Sequence, residues 1–249
     1  MRVAVVGLGA LGARAARQLA STTAIDEVVL RDQRASRVEE IAESLGDKAR
    51  PETGPHQGPP HADAVVLATS GASHVADARA LVAQGVAVVS CSDAVEDVEA
   101  LLDLGPEAEA RGTTVVIGAA FSPGLTCVLA ALSATRLDVI EEIHVARIGT
   151  GGPACARQHH RSLGGVALDW RDGGWVRRPA GSGRELCWFP DPVGAQDCYR
   201  ASLPDALLLA PTFPAARRIT ARVGATRRDR VTARLPMLRP PHPEGTIGA

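Results

Sequence analysis

The chain has 249 residues, of which 45% are apolar, so it can bury a sizeable core in one large or two modest domains. This composition excludes disorder, collagen and coiled coil as descriptions of the whole chain. The net charge of −1 hides an asymmetry, because residues 1–110 carry nine basic and 17 acidic side chains whereas residues 111–249 carry 18 and 11. The basic second half could attract a small anion or could be an ordinary solvated surface.

Five short Val-rich runs in the first half predict β-strands, at residues 2–6, 28–31, 64–68, 86–90 and 113–117. Amphipathic helical patterns lie between most of these runs. Continuous apolar strands that alternate with such helices are typical of a doubly wound parallel sheet, so we predict a Rossmann-type α/β domain over residues 1–121. The expected third strand is faint, because residues 50–61 are dense in Pro and Gly and indicate a surface connection.

In residues 122–249 the predicted strands and helices no longer alternate regularly, which predicts a mixed α+β domain. We expect strands at residues 141–148, 219–223 and 230–235, a hairpin at 168–178 and a helix within 197–209. The longest apolar stretches of the chain, 114–121 and 206–210, are much shorter than the ~18–20 residues that cross a bilayer. We therefore predict no membrane segment.

A Gly-x-Gly-x-x-Gly fingerprint, Gly7, Gly9 and Gly12, stands between the first predicted strand and a helix. In this context the first glycine permits a tight turn, the second allows close approach of a pyrophosphate, and the third lets the helix pack on the strand. Ala10 and Leu11 open the helix, whose N–H groups and positive potential suit phosphates. These residues predict a dinucleotide-binding site.

Asp32 comes 20 residues after Gly12, at the end of the second predicted strand, where a carboxylate can accept both ribose hydroxyls. Its charge favours NAD, whereas Arg34 and two further nearby arginines could hold the 2′-phosphate of NADP, so both cofactors stay open. Thr69 and Ser70 follow the strand at 64–68 and could contact the cofactor at the carboxyl edge of the sheet. An ordinary helix cap explains the same pair of residues equally well.

Arg and His side chains follow a Gly-rich turn within residues 149–161. Pro153 can begin a helix that places Arg157 and Arg161 on one face, where they could bind a substrate carboxylate. His159 or His160 is expected to titrate near neutrality and to transfer the proton. A surface helix with ordinary Arg and His residues is the alternative interpretation.

Cys91 and Asp93 follow the strand at residues 86–90, so they too are expected at the carboxyl edge of the sheet. Cys91 could contact the substrate and Asp93 could act as a further catalytic group, although a buried, inert cysteine would fit as well. The five cysteines form an odd set with no Cys-x-x-Cys pair, which favours reduced thiols in the cytoplasm. No metal site is predicted, because no set of ligands has a recognisable spacing.

Four segments together carry a resemblance to a known family: residues 7–12, 68–70 before His74, 88–93, and the turn at 118–125. On these residues the chain resembles the saccharopine dehydrogenase-like oxidoreductases, and its layout is similar to diaminopimelate dehydrogenase and dihydrodipicolinate reductase. The resemblance implies NAD(P)-dependent hydride transfer to or from a small amino or imino carboxylate. It also implies a homodimer in which residues 122–249 form the substrate and dimerisation domain.

The chain departs from that group at two places. Residues 91–93 stand where related reductases often have a lysine, and the chain ends where the group continues with a further strand and helix, so the second domain is expected to be truncated. A dinucleotide-binding regulatory or scaffold protein without turnover is therefore the alternative. The Arg-rich run at 222–234 has no interleaved aromatic residue, so we predict a small anionic substrate as the partner and no nucleic acid.

Overall fold

The computed structural model of the chain describes residues 1–54, 58–70, 74–149 and 152–237. The chain divides into two compact units. The first comprises Met1–Ser92 and Glu96–Ala119, and the second comprises Asp93–Val95 together with the chain from Ala120 onwards. No helix among the described residues combines the length and apolarity that crossing a membrane requires.

The first unit is a six-stranded parallel sheet with helices between its strands. Its strands are β1 (Arg2–Val6), β2 (Glu27–Arg31), β3 (Ala49–Glu52), β4 (Ala64–Leu67), β5 (Ala87–Ser90) and β6 (Val115–Ile117). Its helices are α1 (Ala10–Ser21), α2 (Ala35–Leu45), α3 (His74–Ala83), α4 (Val95–Leu102) and α5 (Gly105–Ala110). The strand order is β3-β2-β1-β4-β5-β6, with parallel pairing throughout. This order confirms the predicted doubly wound sheet of the Rossmann type.

Both faces of this sheet are covered, because successive residues of one strand belong to different apolar cores. Ala4 of β1 belongs to a core with Leu81 of α3 and Leu101 of α4. The next residue, Val5, belongs to a second core with Ala16 of α1. Burial on both faces explains why the strands are continuous apolar runs in the sequence.

The third strand, β3, lies at the edge of the sheet and begins the segment for which the sequence predicts a surface connection. That prediction is wrong for residues 50–52, which pair with β2. Pro51 is tolerated there because an edge strand leaves one side of its backbone unpaired. The Glu52 carboxylate also binds Arg31, with an Nη2–Oε2 distance of 2.5 Å.

The second unit is a mixed sheet with four helices among its described residues. Its strands are β7 (Glu142–Arg147), β8 (Val166–Arg171), β9 (Gly174–Pro179), β10 (Glu185–Phe189), β11 (Gly194–Arg200) and β12 (Arg218–Gly224). Its helices are α6 (Leu125–Ala134), α7 (Pro153–Ser162), α8 (Asp205–Thr212) and α9 (Arg227–Thr232). The central strand β12 pairs in parallel with β7 and antiparallel with β8 and β11. The predicted α+β character and the β8–β9 hairpin are confirmed.

One predicted element of this unit is only partly right, and another is wrong. The segment 197–209 is not one helix, because β11 continues to Arg200 and α8 begins only at Asp205. Tyr199 is buried and pairs with Val223 of β12, so cross-strand packing overrides the helical pattern. The predicted strand at 230–235 is instead the end of α9 and a turn, since Thr226 begins α9 through a capping box with Asp229.

Candidate cofactor and substrate sites

The Gly-rich turn follows β1, next to β4, at the point where the strand order reverses direction. Gly7 has a φ of +92°, and a Cβ on it would lie 2.7 Å from the Thr69 nitrogen. A Cβ on Gly12 would lie 1.8 Å from the Gly7 carbonyl oxygen, whereas a Cβ on Gly9 would meet no atom of a non-adjacent described residue within 4 Å. Two of the glycines are therefore required by the fold, and the third leaves space in front of the turn that no described residue fills.

Helix α1 begins at this turn. Its first intrahelical hydrogen bond runs from the Ala13 N–H to the Gly9 carbonyl oxygen, so the N–H groups of Ala10, Leu11 and Gly12 precede the bonded ladder. These groups and the helix dipole make the N-terminus suitable for a pyrophosphate. The geometry of the turn therefore fits a dinucleotide.

Asp32 follows β2 and is held by two backbone groups. Its Oδ2 accepts a hydrogen bond from the Leu8 N–H at 2.7 Å, and its Oδ1 accepts one from the Arg34 N–H at 3.0 Å. The Arg34 side chain is 66% exposed, with its Nε 3.8 Å from Oδ1, so it could still reach a 2′-phosphate. Arg31 is instead bound to Glu52. The carboxylate is thus oriented at the place where a ribose would lie.

Thr69 and Ser70 follow β4, and a histidine that sequence reasoning did not assign to the site holds this turn. His74 is fully buried, with Nε2 3.1 Å from the Thr69 carbonyl oxygen and Nδ1 2.8 Å from Ser90 Oγ. Because a carbonyl oxygen only accepts, Nε2 carries the proton, and in the neutral ring Nδ1 accepts from the Ser90 hydroxyl. His74 therefore ties the turn after β4 to the end of β5.

Cys91 follows β5 in the first unit, and its Sγ donates to the Ala119 carbonyl oxygen at 3.2 Å. Burial raises the pKa of this thiol to about 11. At neutral pH it is consequently a protonated thiol and not a nucleophile. Its predicted contact with a substrate stays a prediction.

Three buried or half-buried groups of the second unit feel the charge of Arg147; together with it we call them the Arg147 cluster and define it as Asp93, Arg147, His159 and Asp205. Arg147, at the end of β7, is 4% exposed. Burial raises the pKa of both Asp93 and Asp205, and the positive charge of Arg147 opposes the rise in each case. The structure thus brings the predicted Asp93 and His159 together around an arginine that sequence reasoning missed.

Asp205, the first residue of α8, was also missed and is completely buried. Its Oδ2 accepts from the Ser122 hydroxyl at 2.8 Å and its Oδ1 from the Thr126 hydroxyl at 2.5 Å. The resemblance segment 118–125 contains Ser122, but no sequence pattern links it to a residue 83 positions later. Only the packing of α6 against α8 reveals this contact.

The two candidate histidines lie in different surroundings. Burial, followed by the charge of Arg147, lowers the pKa of His159 to about 4, so the prediction that it titrates near neutrality is wrong. Its Nδ1 is buried without a hydrogen-bond partner among the described residues. His160 is also buried, and its Nε2 donates to the Leu235 carbonyl oxygen at 3.0 Å.

Helix α7 begins at Pro153, as predicted, and both candidate arginines on it are exposed. Arg161 donates from Nη2 to the Gln158 side-chain oxygen at 2.8 Å, and its charge also acts on Asp93. Among the described residues, no hydrogen bond or ion pair joins Arg157 to the Arg147 cluster. In the same part of the chain, no three His, Cys, Asp or Glu side chains are grouped as metal ligands.

Solved structures with the same architecture include a saccharopine dehydrogenase (L-Glu forming) from Saccharomyces cerevisiae, with a TM-score of 0.63 and 18% identity, which covers 89% of this chain and 54% of that one. GenD2 from gentamicin A biosynthesis, in complex with NAD, has a TM-score of 0.53 and 20% identity, and the match covers 90% of this chain and 65% of GenD2. A probable dehydrogenase from Thermotoga maritima has a TM-score of 0.53 and 14% identity, and the match covers 90% of this chain and 68% of that protein. The chain thus spans about half the length of the first protein. These likenesses show a shared fold.

A comparison with curated proteins found no match. Residues 1–119 match the sequence model of an oxidoreductase family with an NAD-binding Rossmann fold, Gfo/Idh/MocA. The match covers the whole parallel sheet, including the Gly-rich turn and Asp32. Residues 1–119 are therefore similar in sequence to the NAD-binding Rossmann domain of the Gfo/Idh/MocA oxidoreductases.

Proposed function

We propose that the protein is an NAD-dependent oxidoreductase, similar to saccharopine dehydrogenase, that transfers hydride to or from a small amino or imino carboxylate. Bound NAD would supply the hydride acceptor or donor. The observation that carries the proposal is the Gly-rich turn at the reversal of strand order, with open space at Gly9 and the Asp32 carboxylate oriented beside it.

The residues of the first unit would bind and orient the cofactor. The N–H groups at the start of α1 would hold the pyrophosphate. Asp32 would accept the ribose hydroxyls, and its charge would repel a 2′-phosphate, so NAD should bind more tightly than NADP. His74 would keep Thr69 and Ser70 in place.

Asp93 is the group that we propose for proton transfer. Burial raises its pKa above the ordinary value for an aspartate, which brings it closer to the pH at which an acid–base group works best. His159 has a pKa of about 4, and the Nε2 of His160 is already bonded to a carbonyl, so both fit this role less well. We also propose that Arg157 and Arg161 attract the anionic substrate. The charge of Arg161 already acts on Asp93.

We further infer a homodimer in the cytoplasm. Helix α6 exposes an apolar stripe at the i, i+3, i+4, i+7 spacing, formed by Leu125, Val128, Leu129 and Leu132. An interface with a second copy would remove this stripe from water. All five cysteines are unpaired, which supports a reducing compartment.

Calorimetric titration of NAD⁺, NADH, NADP⁺ and NADPH into the wild type and two variants tests the cofactor site. Gly9→Val should weaken binding at least about tenfold, because the side chain fills the space of the pyrophosphate. The fold should tolerate it, since Gly9 has a φ of −65° and a Cβ there meets no neighbour. Gly105→Val, at another open position in the first unit, should bind like the wild type.

Failure of all four nucleotides to bind the wild type would contradict the proposal. If they bind, the absorbance of NADH is followed with a panel of amino and keto acids. Cofactor binding without turnover of any member of the panel would favour the regulatory or scaffold alternative.

A further inference from the structure

Arg147 is a buried cation, and two of its donor atoms have no acceptor in the described part of the chain. Its Nε and Nη2 are buried and have no hydrogen-bond partner among the described residues. No carboxylate oxygen in the described part of the chain lies within 4.0 Å of its nitrogens. Since arginine keeps its proton in proteins, this burial is strongly unfavourable unless an anion completes the site.

Two other arginines of the same unit with low side-chain exposure, Arg200 and Arg222, each have a carboxylate partner. Arg200 donates from Nε to Asp169 Oδ2 at 2.8 Å. Arg222 donates from Nη1 to the Gly183 carbonyl oxygen at 2.7 Å. The Nε atoms of Arg218 and Arg222 also lack a hydrogen bond, but both side chains have a carboxylate partner. Arg147 has none among the described residues, and this difference points to a ligand.

The carboxylates of the cluster do not serve as that ligand. Asp205 accepts hydrogen bonds from the hydroxyls of Ser122 and Thr126. Asp93 and Arg147 influence each other by charge, but their atoms are too far apart to form an ion pair. Burial raises the pKa of both aspartates, and the charge of Arg147 opposes the rise.

His159 is the second group of the site, and the positive charge of Arg147 acts on its ring. The Gly224 backbone accepts a hydrogen bond from this ring, which opposes the lowering of its pKa by burial and by Arg147. Because Nδ1 is the buried nitrogen without a partner, Nε2 is the donor and Nδ1 keeps its lone pair. A planar pair of donors and a lone-pair acceptor thus lie in one buried cluster, and each lacks a partner in the described chain.

We propose that Arg147 and His159 bind the carboxylate end of a small 2-hydroxy or 2-amino acid. The guanidinium binds the two carboxylate oxygens, and Nδ1 accepts a hydrogen bond from the hydroxyl or amine on the neighbouring carbon. A 2-keto acid has no such donor and binds more weakly. The assignment rests on the proposed function in that the bound acid is taken to be the substrate.

The first test compares stability without ligand. Arg147→Met removes an unpaired charge and keeps the length of the side chain, so its melting temperature should be equal to or above that of the wild type. Arg200→Met is the matched control, because it leaves the buried Asp169 without its partner and should lower the melting temperature. If Arg147→Met lowered the melting temperature as much as Arg200→Met, the proposal would be overturned.

The second test titrates glycolate and acetate, which differ by one hydroxyl, into the full chain by calorimetry. The wild type should bind glycolate about tenfold more tightly than acetate, and Arg147→Met should weaken glycolate binding about 10- to 100-fold. His159→Phe should abolish the preference for glycolate and keep acetate binding. Absence of glycolate binding to the wild type, or unchanged binding to Arg147→Met, overturns the assignment.

The affinity for NAD⁺ is measured in the same proteins. Intact NAD⁺ binding without glycolate binding would contradict the proposed acid site but not the proposed cofactor chemistry. Absence of NAD⁺ binding to the wild type would instead contradict the proposed function.

Discussion

At the residue scale, the Gly-rich turn and Arg147 differ in how far their roles can be seen in the sequence. Gly7 and Gly12 sit where a Cβ would collide with backbone, and Gly9 where it would meet open space, so their spacing is a local property of one turn. Such a property is readable from a short motif. Arg147 is one of 26 arginines, and the groups on which its charge acts, Asp93 and Asp205, come from distant parts of the chain. No local pattern distinguishes it.

The lowered pKa of His159 leads to a prediction about acid stability. The folded ring, with a pKa of about 4, stays neutral while the unfolded ring, with an ordinary value near 6.5, takes up a proton. The free energy of unfolding should therefore fall as the pH decreases from about 6.5 towards 4, by about 3 kcal/mol from this residue. Arg147 and His160 reinforce the shift, and Asp229 opposes it.

Urea unfolding of the wild type and His159→Gln at several pH values measures this effect. The difference between the two proteins isolates His159, because the other titrating groups are shared. The wild type should lose stability more steeply than the variant over this pH range. Parallel pH profiles would show that the ring is not buried in its neutral form.

At the element scale, the strands and helices of the first unit follow their own periodicity, whereas the second unit depends on contacts across the chain. The parallel strands are apolar on both faces, so their pattern in the sequence is strong. By contrast, the helix predicted within 197–209 wrongly includes residues 197–200, because pairing with β12 decides the conformation of β11. Helix α8 is likewise joined to α6 by Asp205, a contact between distant segments.

Removal of the Asp205 carboxylate should loosen the packing of α6 against α8. Asp205→Ala leaves two buried hydroxyls without their acceptor and should lower the free energy of unfolding by about 2–4 kcal/mol in urea titrations. Asp205→Asn keeps one acceptor oxygen and should lose about half as much. The control Asp138→Ala, at an exposed position, should keep the free energy of unfolding within about 0.5 kcal/mol of the wild-type value. An equally small change in Asp205→Ala would contradict the role of this carboxylate.

At the scale of the whole molecule, the two units have separate cores and differ in charge. The acidic first 110 residues include most of the nucleotide-binding unit, and the basic remainder contains Arg147 and the exposed arginines of α7. A basic unit attracts anions over a distance, whereas Arg147 would hold one by direct contact. The apolar stripe on α6 is a third large-scale feature, which the proposed homodimer would cover.

Light scattering at micromolar protein should give twice the mass of the 25.9 kDa chain. Val128→Glu places a charge on the α6 stripe and should shift the mass towards that of the monomer, because the interface would have to bury it. Val231→Glu on α9 is the control, since Val231 is 80% exposed and Val128 62%, and it should leave the mass unchanged. A monomeric wild type would contradict the homodimer.

The sequence by itself determined the parallel sheet, the Gly-rich turn, Asp32 and the helix that begins at Pro153, because each depends on residues close together in the chain. Only the tertiary structure decided that β3 is an edge strand, that residues 197–200 belong to β11, and that His159 is held neutral. It also assembled Arg147 with Asp93 and Asp205, which are far apart in the sequence. Burial and charge act through space, so groups shaped by them become visible only once the chain has folded.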